Sequence, residues 1–204
     1  MIGIIDYGVG NINAFATIYK RLNFDYKLVQ RQADFNAVTK LILPGVGAFD
    51  HTMKKLSNSG LRDRLDRLVL EQKLPVLGIC VGMQLLAEDS DEGKLSGLGW
   101  IKGKVHKFKQ SSNEQQLPLP HMGWNHITPK TQHPLFEGLN EHARFYFLHS
   151  YYFECHHQDN IIATTHYGDQ FSSVIQAGNI YGMQCHPEKS HHNGITFLKN
   201  FGAL

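Results

Sequence analysis

The stretch Leu74-Pro75-Val76-Leu77-Gly78-Ile79-Cys80-Val81-Gly82-Met83-Gln84-Leu85-Leu86 decides how the rest of the chain is read. A run without a polar side chain, Val76–Ile79, meets a cysteine and passes straight into a second apolar run, which reads as a helix over Val81–Glu88. A strand that is apolar at every position is one buried on both faces, as parallel strands under helices are. Gly78 and Gly82 stand two residues before and two after Cys80, the spacing of a strand-to-helix nucleophile elbow with sulfur in place of a serine oxygen. A tight turn calls for permissive dihedrals and leaves no room for nearby side chains, which are the two reasons for glycine there. At such an elbow a cysteine occupies a helix N-terminus, which favours thiolate over thiol. The backbone N–H of Val81 would then point where an oxyanion develops. A free cysteine is also a common small core residue, so the elbow alone leaves both readings open.

Working outward, Ile2–Ile5, Tyr26–Val29 and Leu41–Leu43 repeat the apolar strand pattern, with helical stretches over Asn11–Leu22, Ala48–Ser57 and Leu61–Glu71 between and after them. Strands alternating with helices specify a doubly wound α/β sheet. The second half reads differently. Lys104–Phe108, Gly123–Ile127, Arg144–Leu148, Tyr152–Cys155, Ile161–Thr165, Ser173–Gln176 and Ile180–Gln184 are strand-like, with a turn at Ala177-Gly178-Asn179 and a last helix from near Asn193. The polar stretch Lys109–Gln116 reads as a surface loop. With 204 residues and no linker or repeat, one domain over residues 1–204 is expected.

Composition excludes several classes. Charged residues make up 19% and hydrophobic residues 42%, and the net charge is +2 with lysines and arginines scattered. Neither nucleic acid nor a membrane surface is an expected partner. The start, Met1-Ile2-Gly3-Ile4-Ile5-Asp6, lacks the basic region of a signal peptide. Three separated cysteines, Cys80, Cys155 and Cys185, form no disulfide framework and suit a reducing cytoplasm. Thirteen histidines show no metal-ligand spacing, so neither a metal nor another cofactor is expected; His156-His157 and His191-His192 read as solvated loop or helix-start pairs.

Near the C-terminus, Gly182-Met183-Gln184-Cys185-His186-Pro187-Glu188 follows another apolar strand. His186 and Glu188 are two residues apart, so in extended backbone their side chains leave the same side. A carboxylate beside an imidazole fixes its tautomer and stabilises the imidazolium formed on proton uptake. By itself this pair is a weak signal; combined with a cysteine elbow about a hundred residues upstream it becomes a strong one. Cys155 and Cys185 lack flanking glycine elbows and read as packing residues.

Pro44-Gly45-Val46-Gly47, then Gly78-Ile79-Cys80-Val81-Gly82-Met83-Gln84, then His186-Pro187-Glu188 resemble, in this order, the class I (triad) glutamine amidotransferases. Two further stretches, His121-Met122-Gly123-Trp124-Asn125 and Phe147-Leu148-His149-Ser150-Tyr151, are similar to the glutaminase subunits of imidazole glycerol phosphate synthases. The chain departs from the family pattern at Cys185, where an aromatic residue is common, and at Val81, where leucine is frequent. The resemblance implies a three-layer, flavodoxin-like mixed sheet. It also implies hydrolysis of L-glutamine to glutamate and ammonia through a cysteinyl thioester: Cys80 as nucleophile, His186 as base and acid, and Glu188 as its orienter. Gly45, Val46 and Val81 would form the oxyanion hole. Gly47, Gln84, Glu92 and the backbone of His149, Ser150 and Tyr151 would bind glutamine. Glu92 also reads as a solvated member of the acidic run Glu88–Glu92.

Ammonia released into neutral water becomes ammonium and loses its nucleophilicity, so the product has to be handed over out of solvent. The resemblance implies a (βα)8 barrel cyclase as partner in a heterodimer of histidine biosynthesis, with ammonia passing through the barrel. Asn11, Asn13, Met122 and Trp124 match positions facing that barrel, although Met122 and Trp124 read equally as core residues. The alternative is a related subunit feeding a sugar amidotransferase of surface-polysaccharide assembly.

Overall fold

The computed structural model describes residues 1–109 and 117–204; all but the first residue of the polar 109–116 stretch lies outside the described residues. The strands are β1 (Ile2–Ile5), β2 (Tyr26–Val29), β3 (Lys40–Gly45), β4 (Val76–Cys80), β5 (Asp89–Ser90), β6 (Gly103–Lys107), β7 (His121–His126), β8 (Thr128–Pro129), β9 (Arg144–His149), β10 (Tyr151–Cys155), β11 (Ile161–Tyr167), β12 (Asp169–Ala177) and β13 (Ile180–Met183). The α-helices are α1 (Ile12–Arg21), α2 (Phe49–Asn58), α3 (Arg62–Asp66), α4 (Val81–Gln84) and α5 (His191–Ala203).

An eight-stranded sheet runs β2-β1-β3-β4-β13-β12-β11-β8. Its first five strands are parallel and the rest antiparallel. This is the expected doubly wound α/β architecture with a strand-rich C-terminal half. A small sheet, β10-β6-β5, and a two-stranded ribbon, β7-β9, complete it. The burial rule holds in the middle of the sheet, where every residue of β1, β4 and β13 is buried. It fails at β2, where only Val29 is buried, because β2 is the sheet's edge. The β12–β13 hairpin turns at Gly178, whose φ of +57° suits glycine. On α1, Phe15 and Tyr19 lie one turn apart and form its buried stripe.

Three helix expectations need correction. The elbow helix is not Val81–Glu88 but the single turn of α4. The carbonyls of Leu85, Leu86 and Ala87, which a longer helix would use itself, accept instead from the N–H groups of Leu98, Ile101 and Gly99. The stretch Leu61–Glu71 is α3 followed by a wider π-helical turn over Arg67–Glu71. The last helix starts at His191, before the expected Asn193.

The parallel strands β3, β4 and β13 end side by side. Gly45 of β3 pairs with Cys80 of β4, and Met183 of β13 pairs with Ile79. The chain leaving β13 therefore delivers His186 next to the residue that ends β4. Ligands of open α/β sheets bind at this carboxyl edge.

Candidate active site

Cys80 carries the elbow's unusual backbone itself, with φ +56° and ψ −117°. A non-glycine residue in this region is strained and persists only where its surroundings hold it. Here β4 is clamped by ladders to β3 and β13. The flanking glycines serve close approach, not left-handed dihedrals. A Cβ on Gly82 would lie 2.0 Å from the Leu43 carbonyl oxygen, and one on Gly78 would lie 2.6 Å from the Gly82 carbonyl oxygen. Gly45 belongs to the same packing, since its Cβ would lie 2.3 Å from the Gly82 nitrogen. Because α4 has only one turn, its effect on the sulfur is that of first-turn N–H groups and not of a long dipole.

His186 Nδ1 lies 2.9 Å from Glu188 Oε1, and both side chains are almost fully buried. The backbone route differs from the expected extended strand: Pro187–Lys189 forms a 3-10 turn, which brings the carboxylate under the ring. The histidine's backbone is pinned from the neighbouring ribbon. Its N–H donates to the Tyr146 carbonyl at 2.9 Å, and the buried Ser190 hydroxyl donates to the His186 carbonyl at 2.6 Å while accepting from the Tyr146 N–H at 2.9 Å. Burial alone would push the imidazole down. The charge and hydrogen bond of the Cys80 sulfur, together with Glu188, overcome it and hold the His186 pKa up at about 10. Residues distant in the chain thus meet as sulfur, imidazole and carboxylate.

Cys80 and His186 open onto a cleft of about 550 Å³, with Glu188 buried out of its lining. Its walls include Val46, Gly47, Val81, Gln84, Glu92, His149, Ser150 and Tyr151, all singled out from the sequence, and also Pro120, Leu148 and Lys189, which were not. Gly45 sits beside the cleft, not in its wall. A larger groove of about 720 Å³ runs along Pro129–Glu137, but it is open and holds none of Cys80, His186 and Glu188. Gln84 is buried and its amide nitrogen donates to the Tyr151 carbonyl at 3.0 Å and to Gln184 at 3.1 Å, so it shapes the wall through Tyr151. Glu92 is not a freely solvated acid: one oxygen accepts from the Phe49 N–H, the first residue of α2, at 2.9 Å. Its pKa is raised, chiefly by burial and further by Asp50, against the pull of the Phe49 N–H.

The other thiols are poor nucleophiles. Burial pushes Cys155 up to about 12 and Cys185 well above the ordinary range. Asn11 and Asn13 are exposed, as are Met122 (67%) and Trp124 (39%) on β7. Trp124 stacks on His191, with planes 6° apart and centroids 5.1 Å apart, so His191 caps an aromatic patch. Among the described residues, no group of acidic, histidine or cysteine side chains is placed to hold a metal, and no helix is long and apolar enough to cross a membrane.

Sequence comparison finds close relatives along the whole length. The chain is 52% identical over 204 residues to the imidazole glycerol phosphate synthase subunit HisH of Leptospira interrogans, covering all of both chains. It is equally 52% identical, over the full length of both, to the protein of the same description from Bdellovibrio bacteriovorus. In fold it is similar to a chain in the structure of PurLQS from Thermotoga maritima, with a TM-score of 0.73 at 15% identity, covering 98% of this chain and 96% of that one. The family model for glutamine amidotransferase class-I matches residues 3–203. This chain belongs to the class-I glutamine amidotransferases.

Proposed function

We infer that residues 1–204 act as one domain, the glutaminase subunit of an imidazole glycerol phosphate synthase. The observation that carries the chemistry is the meeting of Cys80 with the buried His186–Glu188 pair at one cleft; the full-length relatives carry the pathway. With its pKa held near 10, His186 is an imidazolium beside the Cys80 sulfur at neutral pH. The Cys80 sulfur attacks the side-chain amide carbon of L-glutamine, and the carbonyl electrons move onto oxygen. The Val81 N–H receives that charge, joined by a backbone N–H of the Gly45–Val46 loop after a peptide rearrangement. His186 gives its proton to the nitrogen, the C–N bond breaks, ammonia leaves, and a glutamyl thioester remains. Water then adds to the thioester, His186 takes its proton, and sulfur departs as glutamate forms. Glu188 holds the ring's Nδ1–H throughout.

In this reading Glu92 pairs with the substrate's α-ammonium, and the backbone of His149–Tyr151 binds its α-amino acid end. Ammonia passes through a channel to a (βα)8 barrel cyclase, which docks on the face presenting Asn11, Asn13, Met122 and Trp124. Two exposed apolar side chains on one strand support this docking face. The free thiols of all three cysteines suit work in the cytoplasm. Cys80→Ala tests the chemistry. It should abolish glutamine hydrolysis while leaving circular dichroism and partner binding unchanged, and substantial residual glutaminase would sink the mechanism. Co-purification from the native host tests the pathway, because a sugar amidotransferase in place of a barrel cyclase would assign the ammonia elsewhere.

A further inference from the structure

Two buried histidines meet at the cleft, His149 in its wall and His121 hydrogen-bonded to it, and their donor and acceptor roles can be deduced atom by atom. His149 Nδ1 is 2.7 Å from the Tyr151 carbonyl, which can only accept, so Nδ1 carries the hydrogen. In the neutral ring His149 Nε2 is then an acceptor, and its partner at 3.1 Å, His121 Nδ1, must donate. That leaves His121 Nε2 as acceptor for the Asn125 amide nitrogen at 3.3 Å. The orientation of Asn125 is fixed independently: the same nitrogen donates to the His166 carbonyl at 2.9 Å, and its oxygen accepts from the His126 N–H at 2.8 Å. Every hydrogen bond in the row therefore points one way, from Asn125 to Tyr151.

We propose that His121 and His149 form a one-way hydrogen-bond relay that fixes the Tyr151 carbonyl, making His121 a positioning residue for glutamine binding. The proposal rests on the reading of Tyr151 as part of the glutamine pocket. The end of the relay is the carbonyl that Gln84 also grips, so the wall is held from two sides. The row works only if both rings are neutral, since a doubly protonated ring would set N–H against N–H. Burial supplies this, pushing His121 down to about 4 and His149 to about 3, the latter helped by the positive charge of neighbouring histidines against the pull of the Tyr151 carbonyl. The register of β7 on β9 places His121 directly opposite His149. Tyr167 and Phe147 stack on His121 with centroids 4.0 and 4.9 Å away, so the ring also fills an aromatic slot.

Two substitutions separate the slot from the relay. His121→Phe keeps an aromatic ring and removes the donor; His121→Asn keeps a donor near the Nδ1 position and loses the ring. In the subunit assembled with its synthase partner, His121→Phe should raise KM for glutamine about fivefold, the size of one lost hydrogen bond, with kcat nearly unchanged, and His121→Asn should restore KM. The reverse pattern, Phe harmless and Asn harmful, would mean packing alone and overturn the proposal. Ring ¹⁵N spectra of the unmodified chain give a test independent of folding defects: His149 must appear as the neutral Nδ1–H form, and the other tautomer or an imidazolium would refute the relay. Gln84→Leu serves as the control. If it raises KM and His121→Phe does not, the pocket stands and the relay falls; if neither does, the reading of the pocket falls with it.

Discussion

Replacing Cys80 by alanine should do more than remove a thiol: it should lower the pKa of His186, with Glu188 still holding part of the rise. The distance between its ordinary 6.5 and about 10 corresponds to roughly 5 kcal/mol in favour of the imidazolium. Burial works against that preference, so the stabilising partners supply more than the net figure. Of these, Cys80 acts through both charge and hydrogen bond and outweighs Glu188. Without the sulfur, the His186 pKa should fall by more than about one unit, or 1.4 kcal/mol, and further than in Glu188→Gln. The assay is a ring Cε1–H NMR titration of the two variants and the unmodified chain from neutral to alkaline pH. Stability carries the same signature. A histidine whose pKa is raised on folding contributes fully below its unfolded value of about 6.5, and that contribution is lost as pH rises toward about 10. In Cys80→Ala the loss should come at lower pH, seen as an earlier alkaline fall in the urea midpoint. A His186 titration curve unmoved by Cys80→Ala would refute the paired sulfur and imidazole.

Loss of the proton carrier in His186→Ala should cost about a hundred- to ten-thousandfold in kcat, and Glu188→Ala should cost less; rates in the reverse order would undo the assignment of carrier and orienter. Gly82→Ala forces a Cβ to within 2.0 Å of the Leu43 carbonyl, where backbone blocks any cheap shift. Urea unfolding should show a loss of about 3 kcal/mol or more, and a neutral substitution would mean that β3 and the elbow are not packed this way. Trp124→Ala should leave the melting profile nearly unchanged but weaken partner binding by about 2 kcal/mol in titration calorimetry; undiminished affinity would move the docking face elsewhere.

Much of this arrangement was legible in the chain because it depends on local pattern. The apolar runs at 2–5, 41–43 and 76–79 became strands of the central sheet because nothing but a doubly covered sheet hides such runs. The elbow was found at the right residue, yet the division of labour within it was not. Spacing cannot tell a glycine needed for its dihedrals from one needed for a neighbour's approach, and here the cysteine takes the strained backbone. The overlong elbow helix failed for a related reason. Residues 81–87 are buried on all sides, so they show no polar stripe to mark where the helical period stops, and the carbonyls that end it are taken by a segment further along the chain. Ser190, Gln184 and the pairing of His121 with His149 were illegible because each acts through a partner that only the strand register supplies. In the sequence His121 and His149 stand in two separate stretches with nothing to join them.

Because β4 is laddered on both sides in the middle of the eight-stranded sheet, Cys80 rides on the part of the molecule that should open last. Amides of Leu77–Ile79 should exchange with deuterium only through global unfolding. Whatever flexing admits glutamine and expels glutamate falls to the cleft's outer members, the Val46–Gly47 loop and the two-stranded ribbon. A partner seated on that ribbon could throttle turnover without ever disturbing the sulfur.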